Sequence, residues 1–194
     1  LSGIRVLDLT RVIAGPVAGR ELAAHGADVM HVAAAHLPSL PALVVDVNRG
    51  KRSTFIDVST APGCAALWRL VADADVFIQG YRPGALAARG FSPQALCERR
   101  PGIVCVDLSA YSHVGPWAGR RGYDTLVQSA TGFAEEQGRT LGADGPRHLP
   151  VSAIDHATGY LAAFGAQMAL ARRASQGGSW LVRVSLARTG RWVD

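Results

Sequence analysis

An open, mostly parallel α/β sheet with helices on both faces is the fold class this sequence predicts, as one domain over residues 1–194. Three observations carry that expectation. Short apolar runs alternate with helix-like segments from the start of the chain, and that order requires crossover connections between parallel strands. The runs at 4–9, 28–32, 76–79 and 103–108 have few charges inside them, as strands buried on both faces do. The chain has 194 residues, 48% of them hydrophobic, enough for a sizeable core.

The elements follow in order. Residues 4–9 read as a buried strand and 10–16 as a loop. A helix is expected over 17–25, with Gly26 suited to a left-handed C-terminal position. A second strand follows at 28–32, and the run 43–47 reads as a third. Residues 53–58 are extended, and Ser59 or Thr60 caps a helix over 62–72. A strand at 76–79 leads into Gly80-Tyr81-Arg82-Pro83-Gly84. Ser92-Pro93 is a cap with proline in the first turn of a helix to about Arg99. After the strand at 103–108, the stretch 132–149 is rich in glycine and charge and reads as a flexible or substrate-covering loop. A long, nearly uncharged helix spans 157–174, and Gly177-Gly178 turns the chain into a last strand at 180–185. Ligands of such sheets bind beyond the carboxyl ends of the strands. Those ends carry residues 11–16, 80–84 and 109–115.

Composition narrows the function. No apolar stretch reaches membrane-spanning length, and the chain opens on a strand-like run without a leader pattern. Cys64, Cys97 and Cys105 form no CxxC pair and read as reduced core thiols of a cytoplasmic protein. The net charge is +5, and Lys51 is the single lysine among 20 basic residues. The charges are scattered, unlike those of a nucleic-acid binder, and suit an anionic small molecule. The first loop, Ala14-Gly15-Pro16-Val17-Ala18-Gly19, is not the glycine fingerprint of dinucleotide folds, and no ribose-binding acid ends the second strand. Neither a phosphate-binding P-loop nor a serine nucleophile elbow is present. His25, His31 and His36 lack metal-ligand spacing, so no metal is expected.

The residue of most chemical interest is Asp155. It lies between the apolar run Val151-Ser152-Ala153-Ile154 and the long uncharged helix. A carboxylate there is costly to desolvate, so it reads as a helix cap or a reactive group.

Five segments in order resemble one family. Residues 1–16 resemble the opening of class III CoA-transferases, the group of formyl-CoA and carnitine CoA-transferases and 2-methylacyl-CoA racemases. Asn48-Arg49-Gly50-Lys51-Arg52-Ser53 is similar to its NRGKRS segment, and residues 74–84 to its ADVxxENxRPG segment. Gly115-Pro116 and Gly122-Tyr123-Asp124 match its GP…GYD stretch. The resemblance implies the large domain, with a Rossmann-like sheet. It also implies that the family's second, small domain is absent from this chain and that two chains interlock as a homodimer. The catalytic aspartate falls on Asp155. CoA contacts fall on Arg11, Val12, Ile13 and Ala14, on Ile56, Asp57, Val58 and Ser59, and on Gly80, Tyr81 and Arg82, with Arg121 and Tyr123 near the thioester. Arg89 stands in for a displaced family arginine after the RPG. Departures also occur: His31-Val32-Ala33-Ala34 replaces a KVExP pattern, and Ile154 replaces a glycine.

The implied reaction transfers CoA from an acyl-CoA to a carboxylic acid, with CoA as substrate and no permanently bound cofactor. The aspartate attacks the thioester and forms a mixed anhydride. An ordinary aspartate, with a pKa of about 3.9, is ionised at pH 7 and needs no general base. A racemase, with His113 or His156 as second base, is the enzyme alternative; Tyr123 stands where the racemases carry histidine, which disfavours it. A degenerate CoA-ester-binding subunit is the alternative outside catalysis.

Overall fold

The computed structural model describes residues 1–37 and 39–193. Its six strands are β1 (Arg5–Leu9), β2 (Asp28–Ala33), β3 (Arg52–Phe55), β4 (Val76–Gln79), β5 (Val104–Ser109) and β6 (Trp180–Ser185). All pair in parallel, in the order β3-β2-β1-β4-β5-β6. The order reverses between β1 and β4, so the loops leaving those two strands diverge and open a crevice.

The expected helices form close to where the sequence places them. Helix α1 (Ala14–Ala24) starts three residues early, and Gly26 takes φ +90° just after it. Helix α3 (Ala61–Val71) is capped by Thr60, whose hydroxyl accepts from the Gly63 amide at 3.1 Å. Helix α4 (Pro93–Arg99) is capped by Ser92 in the same way. The run 43–47 is a correction: it belongs to a helix, α2 (Pro41–Val47), and not to a strand. Pro41 in the first turn presets a helical φ and lacks the amide a sheet would need. The stretch 132–149 is a second correction. Gly132, at φ +90°, separates α5 (Asp124–Thr131) from α6 (Phe133–Thr140), so much of the supposed loop is helical. Helix α7 (Ala153–Gln176) begins four residues before the predicted start, and α8 (Leu186–Val193) follows β6 directly.

Alternation along the strands sends side chains into two layers. Val6, Val29, Val76, Ile78, Val104 and Val106 meet Ala18 and Leu22 of α1 and the alanines of α7. Leu7, Leu9, Phe77 and Cys105 meet Leu67 and Val71 of α3 and Leu96 of α4 on the other face. Small residues let α7 lie close. A Cβ at Gly165 would sit 2.7 Å from Val182, and one at Gly159 would sit 2.5 Å from the Ala14 carbonyl. The long helix carries apolar side chains on both its buried and its outward face. Ala162 and Ala166 are buried, whereas Tyr160, Phe164 and Met168 face outward.

A buried ion pair locks the first crossover. Lys51 Nζ donates to Asp8 Oδ2 at 2.7 Å, to the Pro16 carbonyl at 2.8 Å and to Asn48 Oδ1 at 3.3 Å. Neither charged side chain has any exposure. The other Asp8 oxygen accepts the Thr10 amide at 3.0 Å and the Thr10 hydroxyl. Gly19 must be glycine for this, because a Cβ there would lie 2.4 Å from Asp8 Oδ2. We expect Lys51→Met to lower stability by about 3–5 kcal/mol, because it leaves an uncompensated buried carboxylate. Replacing Asp8 by leucine in the same variant should recover part of that loss. Urea unfolding reads both, and a single-variant loss under about 1 kcal/mol would match only a solvated pair.

Candidate active site

The crevice holds a cavity of about 390 Å³. Its walls are the loops leaving β1, β4 and β5, the segment 120–123, and Asp155 in the first turn of α7. The site follows from local sequence. Val12 takes φ +74°, a strained setting for a β-branched residue, and this turns the chain sharply from β1 into α1. Gly122 lets the loop before α5 press on β5; a Cβ there would lie 2.6 Å from the Ala110 side chain. Beneath the cavity, Ala14, Val127, Ile154 and Leu186 pack together and join α1, α5, α7 and α8.

Ten of the residues singled out by sequence line this one cavity: Arg11, Val12, Ile13, Ala14, Gly80, Tyr81, Arg82, Arg121, Tyr123 and Asp155. Ile56, Asp57, Val58, Ser59 and Arg89 do not. They form a neighbouring cluster, in which Asp57 Oδ1 accepts the Ser59 amide at 2.8 Å and the Ser59 hydroxyl at 2.6 Å. Those bonds hold the Asp57 carboxyl below its usual range. Arg89 Nη1 donates to the Val58 carbonyl at 2.8 Å, which ties the turn after β4 to the end of β3. Tyr81 adjoins both groups. Burial pushes its hydroxyl pKa up, opposed by the charges of Arg11 and Arg89.

Asp155 is not the cap of α7. Ser152 holds that position, and Asp155 is the third helical residue. Its side chain is 7% exposed, and no side chain among the described residues hydrogen-bonds its carboxylate. Burial, and secondly the charge of Asp124, push its pKa up to about 7. This corrects the expectation of an ordinary, fully ionised aspartate. The helix N-terminus favours the anion by only about 0.3–1 kcal/mol. The burial that drives the pKa to about 7 outweighs that several-fold.

Sequence reasoning left Asp124 and Gln128 without roles, although both are buried beside the site. Asp124 Oδ2 accepts the Asp155 amide at 2.8 Å, and Asp124 Oδ1 accepts from the Gln128 side chain. The available signal was their spacing of four, which places them on one helix face once 124–131 is read as a helix. His113, considered as a second base, does not line the cavity. Burial lowers its pKa, with Asp107 and Arg183 as its charged neighbours. Among the described residues no group of three or more histidine, cysteine or acidic side chains is placed to hold a metal.

A doubly wound sheet carries a buried carboxylate and several arginines at its switch point, a setting that suits an anionic ligand. Residues 1–193 match the model of CoA-transferase family III, and the chain belongs to that family. It is 32% identical to the acetyl-coenzyme A transferase nodX of Hypoxylon pulicicidum, covering 100% of this chain and 33% of that protein. It is 36% identical to succinate–glutarate CoA-transferase of Agrobacterium fabrum, covering 91% of this chain and 49% of that protein. The crystal structure of Rv3272 from Mycobacterium tuberculosis superposes with a TM-score of 0.91 at 30% identity, over 100% of this chain and 57% of that one. The chain thus spans between a third and about half of these relatives' length. Among the described residues no helix is long and apolar enough to cross a membrane.

The raised pKa makes a stability statement with a definite sign. An unfolded aspartate ionises near pH 4, whereas folded Asp155 holds its proton to about pH 7. Ionisation therefore costs nothing below about pH 4, and the cost grows until about pH 7. We expect Asp155→Asn to change stability little near pH 4 and to raise it by up to about 4 kcal/mol at pH 8. Thermal unfolding across that pH range checks this; a gain equal at both ends would contradict it.

Proposed function

We propose that this chain is the CoA-binding large domain of an acyl-CoA:carboxylate CoA-transferase and that Asp155 is its nucleophile. The observation that carries the reading is the Asp155 carboxylate itself. It is buried, has no side-chain hydrogen-bond partner among the described residues, and opens onto a cavity that also holds Arg11, Arg82, Arg120 and Arg121. A carboxylate kept without partners is poorly solvated and reactive. In the first half-reaction a carboxylate oxygen of Asp155 bonds to the thioester carbon. The C–S bond breaks, and CoA leaves as a thiolate, giving a mixed anhydride. The acceptor carboxylate attacks the Asp155 carbonyl of that anhydride, the acyl acid leaves, and a new anhydride joins Asp155 to the acceptor, from which Asp155 is the later leaving group. The returning thiolate then forms the product thioester. With a pKa of about 7, the nucleophile is half ionised at neutral pH, so the rate should rise with pH through that value.

The arginines of the cavity suit the phosphates of CoA, through charge-assisted bonds. The cluster of Ile56 to Ser59 with Arg89 adjoins Tyr81, and the proposal keeps it within the CoA path. Tyr123 lines the cavity at the position where, by the resemblance, the racemases carry histidine, which favours transfer over racemisation. Rv3272 has also been crystallised with an aspartate replaced by alanine. We extend the proposal to a cytoplasmic, interlocked pair of chains. The outward Tyr160, Phe164 and Met168 support the need for a cover over α7.

In the full-length protein, Asp155→Ala should lower turnover by several orders of magnitude and leave CoA affinity within a few-fold. Retention of more than about a tenth of the activity would end the assignment. Removing the charge of Arg82 should weaken CoA binding by about 1–3 kcal/mol, more at low salt than at high. Calorimetric titration measures it, and an unchanged dissociation constant would place the phosphates elsewhere. The isolated 194-residue segment should be inactive and self-associate through α7; light scattering and a transferase assay test this, and an active monomer would refute it.

A further inference from the structure

The first turn of α7 has no cap of its own. Ser152 stands at the cap position with no side-chain hydrogen bond. Leading helix amides need partners, and a buried one left alone is destabilising. The Asp155 amide finds its partner on a different helix, at Asp124 Oδ2. The other Asp124 oxygen takes the Gln128 side-chain amide one turn along α5. Gln128, itself completely buried, accepts the Leu149 amide at 2.9 Å through Oε1. The backbone of Asp155 and the segment leading to it are therefore held by one chain of bonds that leaves the Asp155 side chain free.

We propose that Asp124 and Gln128 are positioning residues for the covalent step at Asp155, and that the negative charge of Asp124 favours that step. The proposal rests on the nucleophilic reading of Asp155. Its electrostatic part follows from where charge goes during the reaction. Before attack, two carboxylates face each other across one hydrogen-bonded turn. On attack the electron pair that leaves with CoA carries the charge onto sulfur, and the anhydride at Asp155 is neutral. Repulsion from Asp124 thus exists in the free enzyme and disappears in the adduct. An interaction that differs between these states promotes the step, where one equal in both would not. An asparagine at 124 could accept the same amide, so capping alone does not require the charge. The other charged or titratable groups that line the cavity with Asp155 are Arg11, Arg82, Arg120 and Arg121, with Tyr81 and Tyr123. Burial and the charge of Asp124 both disfavour the ionised form of Asp155.

The test uses the full-length protein and three variants: Asp124→Asn, Asp124→Ala, and the pair Asp124→Asn with Gln128→Glu. The pair restores a donor facing an acceptor at each bond and moves the charge from position 124 to position 128, one turn along α5. Acylation of the Asp155 peptide is followed by mass spectrometry after mixing with acyl-CoA, and the pH profile of kcat/KM is recorded. We expect Asp124→Asn to shift the acid limb of the profile downward, to cut the trapped adduct, and to slow turnover roughly tenfold. Asp124→Ala should slow it roughly a hundredfold by also freeing the turn. The pair should recover the melting temperature of the parent but keep the lowered acid limb. If the pair restores both, or if Asp124→Asn leaves profile and adduct unchanged while the parent acylates at Asp155, the charge has no role and the proposal fails alone. If the parent never acylates at Asp155, the nucleophilic reading fails and takes the proposal with it.

Discussion

The pairing of Asp8 with Lys51 inside the first crossover is the constraint from which the crevice follows. Two opposite charges without exposure are tolerable only when every lone pair and proton is occupied. Here Thr10, Pro16 and Asn48 complete the set. Each partner comes from a different piece of chain: the end of β1, the first turn of α1, and the turn before β3. The pair thereby fixes how far α1 can stand from β1, and Gly15 and Gly19 are the residues that permit so close an approach. The loop that leaves β1 between them has little freedom left. Val12 is held at positive φ, and the loop Arg11 to Ala14 is presented to the cavity.

Asp8 and Asp155 show opposite uses of a buried carboxylate. Asp8 has a lysine, a hydroxyl and an amide, and the arrangement holds structure together. Asp155 has none of these and a like charge nearby instead. Its ionised form is disfavoured in the folded protein, a cost that packing elsewhere must offset. Ile154 supplies some of that packing directly, being fully buried beside Ala14, Val127 and Leu186. Such local conflict between stability and environment is characteristic of sites that do chemistry.

Helix α7 connects the two halves of this picture. Its alanine stripe lies on the sheet, where small residues bring the helix backbone near the strands. Its first turn delivers Asp155 to the crevice. Its other face carries aromatic and methionine side chains into solvent, a pattern that a lone domain has no reason to keep. The relatives run to two or three times this length, so material to cover that face exists in the proteins this chain resembles.

Most of the strands were legible in the sequence, because runs such as Val104-Cys105-Val106 have no polar residue to place in water. So were the capped helices, since Thr60 and Ser92 signal their own starts through local bonds. Asp155 and the arginines near it were also legible, through ordered short motifs. The run 43–47 was not, because a short apolar stretch has no period to separate helix from strand, and Pro41 decided it. Helices α5, α6 and α8 were hidden for a related reason: glycine and charge mask weak amphipathic patterns. What only the tertiary structure decided was the state of Asp155. Its pKa depends on how deeply the fold buries it and on Asp124, thirty-one positions earlier in the chain. Sequence names both residues, but burial and the distance between charges exist only once α5 and α7 have packed together.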